Sequence, residues 1–356
     1  MNHKVLVSVI MSVFNTKEEY LRCAIESILG QTFQSYEFII VLDLPTDNSA
    51  AVVDEYKKKD DRIVVIRNES NIGLTRSLNK ALKIAKGKYI ARMDADDIAV
   101  TDRLEKQYVF LEENKKVGVV GGHVYTGQKN VRYMTPWTKD SEETRIRMLF
   151  RNAGVPHPTA MFRRNYPDGS QVLYDENIVK SQDFALWSEY VKKADIVVMD
   201  AVFLVYRIHE NQISAAPSGQ IMYSSITVKK QLEDIFGIED EKAANVMANI
   251  FVGQEKPQLI EIKELFKKLI VANKTRNVFK QRKLKILLKE ICVEYLYMYR
   301  TGMKDFLKQL IVNPELIAPV VVIKFIQLYI MPKIKHDKLV EQFENDNKKF
   351  LAEMTL

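Results

Sequence analysis

Lys88-Tyr89-Ile90-Ala91-Arg92-Met93-Asp94-Ala95-Asp96-Asp97 sets an apolar run of strand length directly against three carboxylates. Tyr89–Met93 has the length and apolar content of a strand buried on both faces of a parallel sheet. Open α/β sheets bind ligands outside the carboxyl ends of their strands, and the aspartates fall at that end. In an extended segment alternate side chains share a face, so the spacing places Asp94 with Asp96 and turns Asp97 away. Carboxylates this close repel one another unless a cation lies among them. Mg²⁺ or Mn²⁺ suits such a site, because these ions take few protein carboxylates and fill their shells with water and substrate phosphates. A solvated acidic turn in which Asp97 caps the next helix is the plainer reading. The position at a strand end favours the ligand site.

Outward from that stretch, the first 120 residues alternate strand and helix patterns. Short apolar runs at Val5–Met11, Phe38–Leu42, Ile63–Ile66, Tyr89–Met93 and Val117–Val120 read as strands. Thr16 and Glu19 form a candidate capping box for a helix to Leu29. Asp47-Asn48-Ser49 caps a second helix, Gly73 precedes a third that ends at Gly87, and Thr101-Asp102 opens a fourth. The fold class is therefore α/β, with a mostly parallel, Rossmann-like sheet. Beyond Gly121 the regularity breaks into short strands, a helix near Glu142–Phe150 and another after Gln182. From about Ser218 the pattern is helical. The expected division is an α/β domain over 1–217 and a helical, basic region over 218–356.

Charge sharpens that division. The chain of 356 residues carries +7 overall, yet Glu255–Lys335 holds 17 Lys/Arg against 7 Asp/Glu. In Phe279–Tyr299 the apolar residues Leu284, Leu287, Leu288, Ile291 and Tyr295 oppose Arg282, Lys283, Lys285, Lys289 and Glu290. Leu316–Met331 is strongly apolar, broken by Pro319 and Lys324. Such a surface suits the anionic face of a membrane or packing against the first domain. Nucleic acid is not expected, since no binding module accompanies the charge. Cys23 and Cys292 form neither a disulfide framework nor a metal spacing, which fits a cytoplasmic location. The apolar start reads as a strand rather than a secretory signal, and no run reaches the 18 or so apolar residues of a transmembrane helix.

Several further segments, in order, give the chain a resemblance. Ser8-Val9-Ile10-Met11-Ser12-Val13-Phe14-Asn15, Asn71-Ile72-Gly73 with Asn79, Ala85–Ile90 and the aspartate motif come first. His157-Pro158-Thr159, Gln182-Asp183-Phe184-Ala185-Leu186-Trp187 and Tyr206-Arg207-Ile208-His209 follow. Over about Val5 to Ser214 the chain resembles the inverting family 2 glycosyltransferases of the GT-A fold, of the kind that build bacterial surface polysaccharides. The resemblance implies transfer of a sugar from a nucleoside diphosphate to an acceptor hydroxyl on a glycan or lipid-linked glycan. It places Ser12, Phe14, Asn15, Asp43, Asn71, Arg76, Asp94, Ala95 and Arg207 around the nucleotide-sugar. It gives Asp96 and Asp94 to a Mn²⁺ or Mg²⁺ ion, with His209 as a further ligand, and makes Asp183 the general base.

Several positions in these segments keep a second reading, and a lone loop histidine such as His209 is more commonly a polar surface residue. Asp183 opens a helix and is a natural N-cap. Arg76 is equally an exposed helix arginine. His157, between two prolines, is as readily structural as acceptor-contacting, and Trp187 reads as core. One departure also stands out. The family often has two adjacent aspartates followed by Gly-Ser after its second strand, where this chain has Asp43-Leu44-Pro45-Thr46-Asp47-Asn48-Ser49. Asp43 would accept a hydrogen bond from the base, with a UDP-sugar expected first and a dTDP-sugar second. The lost neighbour leaves a non-catalytic nucleotide-sugar-binding module as the rival. A nucleotidyltransferase lacks its Gly-rich loop here, and a dinucleotide oxidoreductase lacks its G-x-G-x-x-G. The expected setting is the cytoplasm, at the inner face of the cell membrane.

Overall fold

The computed structural model describes residues 4–126, 131–132, 141–152, 155–208, 217–251, 255–316, 341 and 343–345. In chain order the elements are β1 (Val7–Val13), α1 (Glu18–Leu29), β2 (Tyr36–Leu42), α2 (Ser49–Lys59), β3 (Ile63–Arg67), α3 (Leu74–Ile84) and β4 (Tyr89–Arg92). There follow β5 (Ile98–Ala99), α4 (Arg103–Glu113), β6 (Val117–Tyr125), β7 (Val131–Arg132), α5 (Ser141–Met148), β8 (Met161–Arg163), α6 (Gln182–Tyr190) and β9 (Asp195–Val205). The helices α7 (Pro217–Gln231), α8 (Glu241–Asn249), α9 (Leu259–Arg276), α10 (Gln281–Met298) and α11 (Met303–Val312) come after β9.

Among the described residues the strands form one sheet in the order β3-β2-β1-β4-β8-β6-β9-β5, with β7 on β6. The first four are parallel, and β8 runs antiparallel between β4 and β6. The chain steps outward from β1 to β2 and β3, then returns to place β4 on the other side of β1. That reversal is a topological switch point, and it opens the crevice at the carboxyl ends of β1 and β4. β1 and β2 are buried almost throughout, because helices cover both faces of a parallel sheet. Val9, Met11, Phe38 and Ile40 pack with Leu21, Ala24, Ile25 and Ile28 of α1.

The helix starts differ from expectation in one instructive place. α1 begins at Glu18 with Lys17 at its N-cap and no side-chain capping bond, so the Thr16–Glu19 box does not form. The backbone N–H of Thr16 instead donates to Ser49 Oγ at 3.2 Å, and Glu18 accepts from Arg22 and Asn48. Contacts between α1 and α2 thus displace the local cap. The third helix stops at Ile84, before Gly87. A side chain at Gly87 would lie 2.5 Å from the backbone nitrogen of Ser8, so this glycine serves the close approach to β1.

The chain divides into two compact units. The first carries the sheet. The second takes in the helices from Pro217 onward together with Glu142–Arg151, which the sequence pattern assigns to the first domain. Within the second unit Arg147 of α5 is buried and bonds Glu143 at 3.0 Å, Glu290 at 2.6 Å and Glu294 at 2.7 Å. Glu290 therefore does not lie on the solvated basic face of α10. It is buried as the partner of an arginine contributed from 143 residues away. A buried charge without its partner costs several kcal/mol, so α5 and α10 are tied as one body.

Candidate active site

β4 ends at Arg92, and Ala95-Asp96 form a turn. The alternation expected of an extended segment therefore does not apply to the aspartates. The turn nonetheless separates them: Asp94 and Asp96 are half-buried, while Asp97 is 1 % exposed. Asp97 does not cap the next helix, whose N-cap is Asp102. One of its oxygens accepts from the backbone N–H of Arg207 at 3.0 Å. The other, Oδ2, is buried with no hydrogen-bond partner among the described residues. Arg207 also donates through Nη1 to the carbonyl oxygen of Asp96 at 2.8 Å, and its guanidinium lies 4.7 Å from the centre of the Tyr20 ring. The segment after β9 and the aspartate turn are thus held together from both sides.

Two arginines that the sequence did not single out build the floor. Arg92, buried, donates to Asp94 and to the carbonyl oxygen of Met93. Arg103 of α4, also buried, donates to the carbonyl oxygen of Arg92 at 2.7 Å and to Gln107 at 3.1 Å. Burial, and secondarily the charge of Arg92, lowers the Arg103 pKa to about 9. Burial pushes Asp94 above the ordinary carboxylate range against the pull of Arg92, with Asp96 adding repulsion. Asp97 is raised well above it, first by burial and then by the charges of Asp94 and Asp96.

This electrostatic surplus fits a cation. A buried carboxylate oxygen without a partner, beside two part-exposed carboxylates that repel one another, is a donor set for a hard divalent ion. Among the described residues no three His, Cys, Asp or Glu side chains converge as a complete cage. The fit is therefore to an ion that draws on Asp94 and Asp96 and takes its other ligands from water and phosphate. His209, the further ligand expected, lies outside the described residues.

The loops after β1 and β2 form the neighbouring wall. Ser12 lies in β1, and Phe14 and Asn15 are exposed just beyond it. Asn15 is left-handed, at φ 48°, and its side chain accepts from the backbone N–H of Thr46 at 2.8 Å. Leu44, in the place where the family often carries its second aspartate, is exposed and left-handed at φ 54°. A leucine held there costs on the order of 1–2 kcal/mol, more than an aspartate would. Asp43 is buried and binds Asn68 Nδ2 at 2.7 Å and the backbone N–H groups of Ile72 and Gly73 at 2.9 and 2.8 Å. Three of the roughly four acceptor directions of a carboxylate are thus spent on the 68–73 loop. Gly73, at φ 84° and ψ 166°, has a backbone that essentially only glycine adopts. Asn71 is exposed in that loop, and Ala95 is nearly covered. Arg76 projects from α3, more than half exposed, 3.6 Å from Glu176.

Asp183 stands at the second position of α6, whose N-cap is the left-handed Ser181, so it is not the cap. It accepts from Asn152 Nδ2 at 2.7 Å. Burial raises its pKa, opposed by the Phe184 N–H and Asn152, and the Asp94 charge adds to the rise. Asp183 and Asp94 therefore share one electrostatic neighbourhood. His157 belongs to its core: Nε2 lies 2.7 Å from Tyr174 Oη, with the Trp187 ring edge-on at 6.2 Å. Trp187 is fully buried.

With this geometry in place the relatives become informative. The sequence profile of glycosyl transferase family 2 matches residues 8–169. The uncharacterized glycosyltransferase MJ1057 of Methanocaldococcus jannaschii is 37% identical over 234 residues, covering 64% of this chain and 79% of that one. The chain belongs to glycosyl transferase family 2. It is a nucleotide-sugar glycosyltransferase with a GT-A sheet domain followed by C-terminal helices. The Escherichia coli UDP-Glc:alpha-D-GlcNAc-diphosphoundecaprenol beta-1,3-glucosyltransferase WfaP is 29% identical over 228 residues, 63% of this chain and 86% of the relative. In fold, TarS of S. aureus (residues 1–349, crystallised with UDP-GlcNAc) superposes with a TM-score of 0.54 at 16% identity, covering 82% of this chain and 89% of that one. The family profile ends before α6, so Asp183 and Arg207 lie beyond it.

His157 gives a pH test of this core. Burial first, and the Arg92 charge second, hold its pKa well below the ordinary 6.5. Below that value the unfolded chain takes up a proton that the folded chain refuses. Stability contributed by this group is therefore complete above pH 6.5 and falls as the pH drops towards its folded pKa, by up to about 1.4 kcal/mol per unit. Denaturant unfolding of His157→Phe between pH 7 and 5 should give a flatter profile than the wild type. Parallel profiles would show that His157 is not held neutral.

Proposed function

We propose that this glycosyltransferase moves a sugar from UDP to a hydroxyl of a lipid-linked glycan, with inversion at the anomeric carbon. The observation that carries the reading is the raised, amide-held carboxylate of Asp183 within electrostatic range of the aspartate turn. WfaP, whose name states a UDP-glucose donor, a diphosphoundecaprenol acceptor and a β linkage, supports the donor, the acceptor class and the stereochemistry.

Asp94 and Asp96 would hold Mn²⁺ or Mg²⁺, which supplies Lewis-acid stabilisation of the charge on a departing nucleoside diphosphate. The remaining work falls to side chains of the chain. Ser12, Phe14, Asn15, Asn71 and Ala95 border the nucleotide, and Asp43 has one acceptor direction left for a base N–H. Arg207, fixed by its contacts to the aspartate turn, contributes a cation to the diphosphate, and Arg76 a second from α3. Asp183 takes the proton of the acceptor hydroxyl as that oxygen attacks the anomeric carbon. The new C–O bond forms opposite the bond to phosphate, which breaks with its electron pair on the diphosphate. A single displacement of this kind turns an α-linked donor into a β-linked product. A carboxylate with a raised pKa is a stronger base than an ordinary one.

The expected setting is the inner face of the cell membrane. No helix among the described residues is long and apolar enough to cross a bilayer. α11 leaves Met303, Leu307 and Ile311 exposed at successive turns with Lys304 and Lys308 beside them, a pattern that suits an anionic lipid surface. Most of the apolar run Leu316–Met331 lies outside the described residues.

Asp183→Asn should lower kcat for transfer from a UDP-sugar by at least about 10²-fold, the lower range of general-base contributions, with little change in donor KM. Retained transfer in that variant would remove Asp183 from the mechanism. Co-sedimentation with vesicles containing anionic phospholipid should fall in the double substitution Leu307→Ser, Ile311→Ser and in high salt. Equal binding by both proteins would place the membrane contact elsewhere.

A further inference from the structure

Resting on the reading of Asp183 as the base, we infer that Asn152 is its positioning residue, clamping one carboxylate oxygen so that the other is left to take the acceptor proton. Asn152 is half-buried and is the first residue after the excursion Glu142–Arg151. Its Nδ2 lies 2.7 Å from Asp183 Oδ2. No sequence motif points to it, and it lies 31 residues from its partner.

The chemistry of the pair suits a base that must stay ionised without being weakened. A side-chain amide NH₂ is a donor at every working pH and carries no charge. It favours the ionised carboxylate, yet it does so far less than a lysine or arginine at the same distance would. Burial and the Asp94 charge push the Asp183 pKa up, and Asn152 with the Phe184 N–H holds the rise in check. Tyr174 also feels the Asp183 charge, and burial raises its phenol pKa so that it stays protonated. Geometry needs the clamp as well. Asp183 is not the helix cap, and beside the Phe184 N–H of the helix start it is Asn152 that supplies the side-chain hydrogen bond anchoring the carboxylate. A carboxylate anchored through one oxygen has a defined direction for the other, and misplacement by about 1 Å costs on the order of 10²-fold in rate.

The test compares Asn152→Ala, the nearly isosteric Asn152→Asp and Asp183→Asn in the full chain, by steady-state transfer from a UDP-sugar across a range of pH. Asn152→Ala should lose about 10- to 100-fold in kcat. Its donor KM and its thermal stabilisation by UDP should be unchanged, and its acid limb should move to higher pH. Asn152→Asp should work only where the two carboxylates share one proton, adding an alkaline fall that the wild type lacks. Wild-type kcat and pH profile in both Asn152 variants, alongside an inactive Asp183→Asn, would overturn the role of Asn152 alone. A loss confined to KM or melting temperature would also overturn it, leaving Asn152 a structural tie. An active Asp183→Asn would overturn the base itself.

Discussion

Three carboxylates within four residues can be held at the end of a buried strand only if cations and dipoles are built in beneath them. Arg92 and Arg103 supply that floor, and each is itself buried. Their cost is offset by carbonyl oxygens: Met93 O takes Arg92, while Arg92 O takes Arg103. The Arg207 backbone then closes on Asp97 and its guanidinium on Asp96 O. The sheet order follows the same demand. Returning β4 beside β1 brings the aspartate turn next to the loops that carry Asn15 and Asp43, so the switch point and the charge cluster are one feature.

Burial raises the pKa values of Asp94, Asp97 and Asp183 above the ordinary carboxylate range, and neighbouring carboxylates add to each rise. Buried carboxylates of this kind are costly to folding. In the proposed function they draw in a divalent cation, through which a diphosphate is held, and strengthen Asp183 as a base. Stability comes from elsewhere, above all from the apolar core between α1 and the first strands.

β1, β2, β4 and β6 were legible because strands covered on both faces read as plain apolar runs. β5 and β7 have two residues each and β8 three, too few for any period to appear. The aspartate motif and Asp183 were legible as residue types in order, but their supports were not. Arg92 carried a faint signal, a lone charge inside an apolar strand. Arg103, Asn68 and Asn152 carried none, since each matters through a partner distant in the chain or fold. Glu290 failed in the opposite sense. Helical spacing alone put it on the wet face, and its burial depends on Arg147, which a linear pattern cannot supply. Local capping rules erred at Thr16 and Asp97 for the same reason, because tertiary partners took the groups that a cap would have used.

In the proposed function the aspartate turn, with the loops after β1 and β2, forms a nucleoside diphosphate site completed by a divalent ion. The most direct measurement is the melting temperature with UDP, dTDP, GDP or CMP, each in Mn²⁺ and in EDTA, for the wild type and Asp96→Asn. Ligand at a hundredfold its Kd stabilises the folded state by about 2.7 kcal/mol. The expected result is a rise with UDP that requires Mn²⁺ and disappears in Asp96→Asn. No rise with any nucleotide, or one indifferent to both the metal and Asp96, would contradict it.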